Sequence, residues 1–238
     1  MSGPASPSAR RRSAEARNAA RGPGDTSSRS AILQAATHEF ARMGSAGARI
    51  QSIAAAADVN IALLYYYFET KEKLYAAVLE EVFAEWAQRV EAALDANGSP
   101  SQKLAAYIEA YFDFVAEVPY RPRLVQQEMT QVGHGSIRRL NALATRYVRP
   151  VHQKVLQLLR QGHTDGEFRR VAPDFVYSMS AVIVSYFTSS SFIQVVSGRD
   201  PLTAARIAQR RKSVVDTLSA ALFTTAPEND SKRKEQRK

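Results

Sequence analysis

The segment ADVNIALLYYYFETKEKL, Ala57 to Leu74, contains three consecutive tyrosines followed by Phe68. A short helix cannot bury four successive directions, so at least one ring must face solvent or a partner. A tyrosine is a stiff apolar plate with one hydroxyl, which can pack on a sugar and donate to a phosphate at little entropic cost. The pattern therefore favours contact with DNA. The alternative, in which the four rings form a local core, stays open, most of all for Tyr67.

Two short helices joined by a tight turn must position these rings. The first is predicted from Ile50 to Ala57, and the second carries Ile61 to Tyr67. In the turn, Asp58 tolerates a left-handed backbone, Val59 fills the space between the helices and Asn60 caps the second helix. This is the helix-turn-helix pattern, in which the second helix of the pair enters the major groove.

A further helix is predicted on each side of this pair. The one before it begins near Thr26 and ends at Gly44 to Gly47, with apolar residues at helical spacing: Ile32, Leu33, Ala36, Phe40 and Met43. The one after it is capped by Thr70. Lys71 follows this cap, so its ammonium and the free N–H groups of the helix end form a natural phosphate clamp.

Four short stretches resemble the DNA-binding domain of TetR-type transcriptional regulators. They are Ile53-Ala54, Val59-Asn60, Leu64 to Phe68 and Lys71 to Leu74, and the match covers about Ser27 to Leu79. The sequence departs from the family pattern at Asp58, where glycine is usual, and at Leu63, where a small or polar residue commonly reads a base. Leu63 can offer only an apolar contact, for example to a thymine methyl group.

The resemblance and the residue chemistry together assign a DNA-contacting set. Tyr65 and Tyr66 are expected to touch the backbone or base edges, Tyr67 to lie at the groove margin and Phe68 to be core. The residues that open the first helix of the pair are expected to meet the opposite strand, although Arg49 could instead be a solvated surface arginine. The predicted set is Arg49, Ile50, Gln51, Ser52, Asn60, Ala62, Leu63, Tyr65, Tyr66, Tyr67 and Lys71.

The rest of the chain also reads as helical, so the predicted fold is all-α. Further helices are predicted at 101–117, 121–131, 136–161, 173–197 and 201–224. The last two could form a four-helix dimer interface, which agrees with the resemblance because such regulators generally dimerise through their last two helices. The apolar residues assigned to it on 201–224 are Ile207, Val214, Leu218 and Leu222. Alternatively, the uncharged stretch Phe175 to Gly198 is simply a central core helix; its seven serines make it a poor match to lipid.

Aromatic residues with sparse polar tips suggest a ligand pocket in this second part. Each is individually more typical of plain core, and the resemblance implies a small, largely apolar effector whose identity the sequence does not show. The predicted pocket residues are Trp86, Tyr107, Tyr111, Phe114, Met129, His134, Tyr147 and Tyr186.

Charge and motif content set the remaining expectations. The net charge of +9 is concentrated in two tails, and cysteine is absent. We expect a basic arm at 1–25, the DNA-binding domain at 26–70, an effector-binding and dimerisation domain at 71–226 and a basic tail at 227–238. The histidines have no metal-ligand spacing and no nucleotide or hydrolase motif is present, so no cofactor, metal or enzyme activity is predicted.

The expected protein is a cytoplasmic homodimeric regulator that binds a palindromic DNA operator and acts more as a repressor than as an activator. The alternative is a basic helical protein that binds membranes or acidic partners through its tails.

Overall fold

The computed structural model describes residues 23–130 and 134–224, without the side chains of 23–26 and 134. These residues contain no strand, only an isolated antiparallel bridge between Phe168 and Phe223. The all-α prediction is confirmed. A π-helical turn, Ala144–Val148, connects two of the helices. The helices are α1 (Pro23–Gly47), α2 (Ile50–Ala56), α3 (Ile61–Phe68), α4 (Lys71–Asp95), α5 (Pro100–Glu117), α6 (Arg121–Thr130), α7 (His134–Leu143), α8 (Arg149–Thr164), α9 (Phe175–Thr188), α10 (Ser190–Ser197) and α11 (Ala204–Leu222).

The chain forms two compact units that divide between Val78 and Leu79, within α4. In the first unit, α1 loses helical geometry at Gly44, where φ is 72° and ψ is 168°, as the sequence predicted. Met43 was expected on the buried face of α1 but is exposed, because the helical stripe ends at the next residue. The buried core of this unit includes Ile32, Leu33, Ala36, Phe40, Ile53, Ala54, Leu64, Phe68, Leu74 and Tyr75.

In the second unit, α5 packs against α8, α9 and α11. Its start is fixed by a capping box: the Ser99 N–H donates to Gln102 Oε1 at 2.9 Å, and the Gln102 N–H donates to Ser99 Oγ at 3.4 Å. Pro100 occupies the first turn, where its missing N–H costs nothing. The α5 residues buried in this core are Leu104, Tyr107, Ile108, Phe112, Phe114 and Val115.

Two predicted helices are each divided in the structure. The segment 136–161 becomes α7, the π-helical turn and α8, and the segment 173–197 becomes α9 and α10, which meet at Ser189 with a bend of 64°. At the second break, Thr188 Oγ1 donates to the carbonyls of Val184 and Ser185, a contact of the kind that often bends a helix. Among the described residues no single helix has the length and apolar content to cross a membrane, although the bent pair α9 and α10 passes that test when taken together.

The apolar stripe of α11 is buried within its own unit. Val214, Leu218 and Leu222 are enclosed by the core, and only Ile207 is half-buried. The expectation that these three side chains meet a second copy of the chain is therefore wrong. The helical period predicted the stripe correctly, but the surface that covers it belongs to the same protomer.

Candidate DNA-binding interface

The turn between α2 and α3 has the geometry that its residues predict. Asp58 adopts a left-handed backbone with φ of 52°. Its N–H donates to the Ala55 carbonyl at 3.2 Å, and the Val59 N–H donates to the Ala54 carbonyl at 3.0 Å. Asn60 Oδ1 accepts the Leu63 N–H at 2.7 Å, which confirms Asn60 as the N-cap of α3. Val59 is half-buried rather than fully enclosed.

The tyrosines of α3 face outward. Leu64 and Phe68, one helical turn apart, are buried and fix the helix to its unit. Tyr66 is 76 % exposed and Tyr65 is 44 % exposed, whereas Tyr67 is half-buried with its ring edge-on to Tyr66 at 5.4 Å. The alternative of a four-ring local core is therefore excluded. Of the other predicted contacts on this helix, Ala62 is exposed and Leu63 is half-buried.

The residues that open α2 divide into one buried and three exposed side chains. Arg49, Gln51 and Ser52 are exposed, but the Ile50 side chain is only 7 % exposed. Ile50 was predicted to contact DNA; it is instead a core residue, since its position continues the buried stripe with Ile53, and only its backbone amide remains for such a contact.

An acidic side chain from α1 holds the start of α2. The buried Glu39 carboxylate accepts from Arg42 Nη2 at 3.0 Å and from the Arg49 N–H at 3.5 Å. The hydrogen bond from Arg42 is the main reason that the pKa of Glu39 lies below its usual value. The carboxylate therefore remains ionised at neutral pH and orients the first turn of α2.

Lys71 lies at the start of α4 and is half-buried. Its Nζ donates to the Ala46 carbonyl at 3.0 Å, which ties α4 to the end of α1 and leaves two of three ammonium N–H donors for another acceptor. Thr70 Oγ1 accepts the Lys73 N–H at 3.1 Å and confirms the predicted cap. Lys73 forms an ion pair with Glu69, so its charge is already engaged.

A cation that the sequence reasoning missed lies beside this surface. The exposed guanidinium of Arg29, on α1, lies 5.4 Å from the centroid of the buried Phe68 ring. Cation–π contact of this kind fixes the direction of an arginine without neutralising its charge. Because Arg29 and Phe68 are distant in sequence, only the packing of α1 with α3 could identify the pair.

Several of the predicted pocket residues come together in the second unit. The Trp86 ring lies edge-on to Tyr111 at 5.5 Å, and Tyr107 lies 6.2 Å from the same ring. The Tyr111 hydroxyl and Ser180 Oγ are 3.0 Å apart. Burial raises the pKa of the Tyr107 and Tyr111 hydroxyls well above the usual value, so both remain protonated donors.

Phe114 is buried and shares a face of α5 with Tyr111. The remaining predicted pocket residues make other contacts, face solvent or lie outside the described residues. Tyr147 donates to Glu80 Oε1 at 2.5 Å, and Tyr186 donates to the Pro201 carbonyl at 2.8 Å. Met129 is 69 % exposed and does not fit the expected enclosed site, since it points outward from α6. The His134 side chain lies outside the described residues. Two surface clefts, of about 180 and 380 Å³, are lined by other residues.

Comparison with known proteins gives matches along most of the chain. Residues 32–78 match the family described as "Bacterial regulatory proteins, tetR family", and residues 100–218 match "Tetracyclin repressor-like, C-terminal domain". The HTH-type transcriptional repressor NicS of Pseudomonas putida is 30% identical over 176 residues, 69% of this chain and 79% of NicS. The HTH-type transcriptional repressor SCO4008 of Streptomyces coelicolor is 32% identical over 166 residues, with the same two coverages.

Solved structures show the same fold at lower identity. The ketosteroid transcriptional regulator KstR2 of Mycobacterium tuberculosis superposes with a TM-score of 0.60 at 18% identity, covering 83% of this chain and 95% of KstR2. A putative fatty acid metabolism regulator of Clostridium perfringens superposes with a TM-score of 0.63 at 17% identity, covering 82% of this chain and all of that protein.

Proposed function

Because the chain belongs to the TetR family of bacterial regulatory proteins and is a DNA-binding transcription regulator, we propose that it represses transcription by binding a palindromic operator as a homodimer. A small effector bound in the second unit then releases it. NicS and SCO4008 are both named as repressors, which supports repression rather than activation. A DNA-binding regulator works where the DNA is, so we place it in the cytoplasm.

The observation that carries the DNA-binding assignment is the outward pair of tyrosines on α3. Two buried anchors, Leu64 and Phe68, hold an eight-residue helix so that Tyr65 and Tyr66 project from it. Such rings can pack on deoxyribose and donate to phosphate. On either side, the N-terminal amides of α2 and the ammonium of Lys71 supply donors for the backbone of a duplex.

The surface that supports dimerisation lies on α9 and α10. These helices carry large apolar side chains that are exposed in a single protomer, and soluble proteins rarely leave several such residues together in water. Ala181 and Ser185 are also exposed on α9, and their small side chains let a partner helix approach closely. The large exposed residues are Tyr177, Phe192, Val195 and Val196.

We assign DNA binding to residues 26–70 and effector binding with dimerisation to 71–226. The predicted basic arm at 1–25 lies outside the described residues apart from the start of α1, and the tail at 227–238 lies outside them entirely. Arg29 extends the DNA-binding set, because its guanidinium is exposed and its direction is fixed by Phe68.

Selection of bound duplexes from a random pool tests the operator proposal. The expected result is one palindromic sequence preferred over random DNA by about 10³-fold or more. Equal binding of all duplexes would identify a general polyanion binder and refute the proposal. With the selected duplex, Tyr66→Ala is expected to weaken binding by about tenfold or more, the worth of one hydrogen bond to a charged group, whereas the control Tyr120→Ala in the second unit leaves it unchanged.

The dimer is tested separately by sedimentation. Phe192→Glu places a charge in the exposed apolar surface and is expected to shift the protein from dimer to monomer at micromolar concentration. The control Ile137→Glu changes another exposed apolar residue, on α7, and is expected to leave the dimer intact. A Phe192→Glu protein that sediments as wild type would refute this interface.

A further inference from the structure

Buried polar atoms on α4 and α6 lack hydrogen-bond partners within the described part of the chain. Two side chains present unpaired donors, Trp86 through Nε1 and Arg121 through Nε and Nη1. Two others present unpaired acceptors, Gln127 through Oε1 and Glu128 through Oε2. An unpaired buried polar atom costs more free energy than an ordinary hydrogen bond contributes, so native proteins supply such atoms with a partner.

Both side chains with unpaired donors contact α5. The Trp86 ring packs on Tyr111, and the Arg121 guanidinium lies over the Phe114 ring at 4.7 Å from its centroid. Tyr111 and Phe114 are three residues apart on α5 and therefore share a face. The Arg121 Nη2 donates to Glu85 Oε2 at 2.8 Å, which fixes the guanidinium beside α4.

The unpaired acceptors lie farther along α6. Arg121 and Glu128 are seven residues apart, so they share one helix face and are separated by about 10 Å along the axis. Glu128 is 0 % exposed, and its Oε1 accepts from Arg139 Nε at 2.7 Å while Oε2 remains unpaired. Gln127 precedes it. The Arg121 donors thus lie near the start of α6 and the acceptors near its end.

Formal charge is already balanced at both ends, because Arg121 is paired with Glu85 and Glu128 with Arg139. The remaining requirement is for directed hydrogen bonds rather than for a counterion. The surfaces beside the donors are aromatic, formed by Tyr111 and Phe114. A flat apolar ring suits these surfaces, and polar groups at its edges suit the unpaired atoms.

We propose that the effector is a ring compound with a carbonyl or carboxylate oxygen at one end and an N–H or O–H group at the other. The oxygen accepts from Trp86 Nε1 and Arg121, and the donor group binds Glu128 Oε2 or Gln127 Oε1. This assignment rests on the proposed effector response and gives it a chemical class. It also distinguishes the effector from a purely apolar molecule.

Trp86 allows a direct test because it is the only tryptophan in the chain. Its indole N–H gives a single identifiable NMR signal in the full-length protein. The signal is followed while four probes are added: 4-aminobenzoate carries both groups, benzoate only the acceptor, aniline only the donor and toluene neither. We expect 4-aminobenzoate to shift the signal saturably and to bind at least about tenfold more tightly than the other three, since benzoate and aniline each lack one hydrogen bond to a buried group and toluene lacks both.

Variants identify the atoms responsible. Glu128→Gln preserves the shape of the side chain but can place an amide N–H₂ donor where the acceptor Oε2 was. The amino group of 4-aminobenzoate then loses its acceptor, so the tighter binding of 4-aminobenzoate than of benzoate is expected to disappear. Trp86→Phe keeps a ring and removes the N–H, and calorimetry should show about tenfold weaker binding of both carboxylates. The control Glu117→Gln changes an exposed carboxylate that is paired with Arg89 and has no buried unpaired oxygen, so probe affinity is expected to stay at the wild-type value.

Two outcomes overturn the proposal. One is a Trp86 signal that exchanges magnetisation with water and that no probe shifts at concentrations up to about 10 mM, a weak affinity limit for a ligand held by so few hydrogen bonds. Buried water would then be the partner of these atoms. The other is equal affinity for all four probes. Operator binding by the ligand-free wild-type protein is measured in parallel: if it is retained while the probes fail, only the effector chemistry is refuted, and if it is absent, the proposed function itself fails.

Discussion

Replacement of Lys71 by methionine removes a charge at the start of α4 while keeping a side chain of similar length. In the structure one ammonium N–H is used by the Ala46 carbonyl and two remain for a phosphate. If each Lys71 contacts one phosphate, a dimer loses two contacts. The slope of log affinity against log salt then falls by about 1.8, since each contact contributes about 0.9.

This change in slope gives a measurable factor. Between about 50 and 200 mM salt, a slope difference of 1.8 corresponds to about a twelvefold difference in how far affinity falls. Fluorescence anisotropy with the selected operator at several salt concentrations measures it directly. Lys71→Arg retains the charge and is expected to keep the wild-type slope.

Lys73→Met is the matched control on the same helix turn. The Lys73 ammonium is paired with Glu69, so its loss is expected to change the slope by less than half as much. Thermal unfolding of each variant is measured because Lys71→Met also breaks the bond to Ala46, which contributes about 1 kcal/mol at most in this exposed setting. A Lys71→Met protein with the wild-type salt slope would show that Lys71 only ties α4 to α1, and the phosphate assignment would be wrong.

Three further substitutions test the local geometry by thermal or urea unfolding. Asn60→Ala removes the cap that accepts the Leu63 N–H and is expected to lower the free energy of unfolding by about 1 kcal/mol; an unchanged midpoint would contradict the cap. Asp58→Gly relieves a left-handed backbone at φ 52° and is expected to stabilise by up to about 1 kcal/mol, so clear destabilisation would show that the carboxylate has another role. Gly162→Ala places a Cβ 2.2 Å from the buried Phe168 ring and is expected to cost about 1–3 kcal/mol, which a wild-type midpoint would rule out.

The helix-turn-helix could be predicted residue by residue because its chemistry is local. The left-handed Asp58 and the caps at Asn60 and Thr70 each depend on atoms three or four positions away. Backbone sterics and the unpaired N–H groups of a helix end allow few solutions over that distance. The residues within a few positions of the turn therefore determine its geometry, and the structure agrees with the prediction at all three positions.

Contacts between distant segments could not be predicted in the same way. The bond from Lys71 to Ala46 and the position of Arg29 over Phe68 depend on how α1 packs with the helices after it. Periodicity likewise identifies an apolar stripe without naming what covers it, which is why Val214 was assigned to a dimer and proves to be core. At the break near Ser189 the Thr188 hydroxyl bonds back to a helix carbonyl, but Thr37 does the same inside the unbroken part of α1, so a hydroxyl residue alone does not predict a break.

The pocket prediction was limited in the same way, because a residue's type does not give the direction of its side chain. The structure brings Trp86, Tyr107 and Tyr111 of the predicted set together, because Tyr107 and Tyr111 are one turn apart on α5 and Trp86 of α4 packs on Tyr111. Met129 is an apolar residue suited to a pocket, but its side chain is exposed to solvent. Nothing in the sequence assigned Arg121 and Glu128 to a pocket, since an arginine or a glutamate on a helix is ordinarily solvated. Their polar atoms are the ones on which the proposed effector chemistry depends.

The short length of α3 explains why its buried and exposed residues should have different mutant phenotypes. Eight residues form about two turns, which are not stable alone in water, so Leu64 and Phe68 must hold the helix through burial. Loss of either anchor therefore removes the fold of the unit together with DNA binding. Loss of the Tyr66 ring, which is mostly in solvent, is expected to remove affinity and to leave the unfolding midpoint almost unchanged. A Tyr66→Ala protein that lost both stability and affinity would contradict the proposal that the exposed ring contacts the duplex.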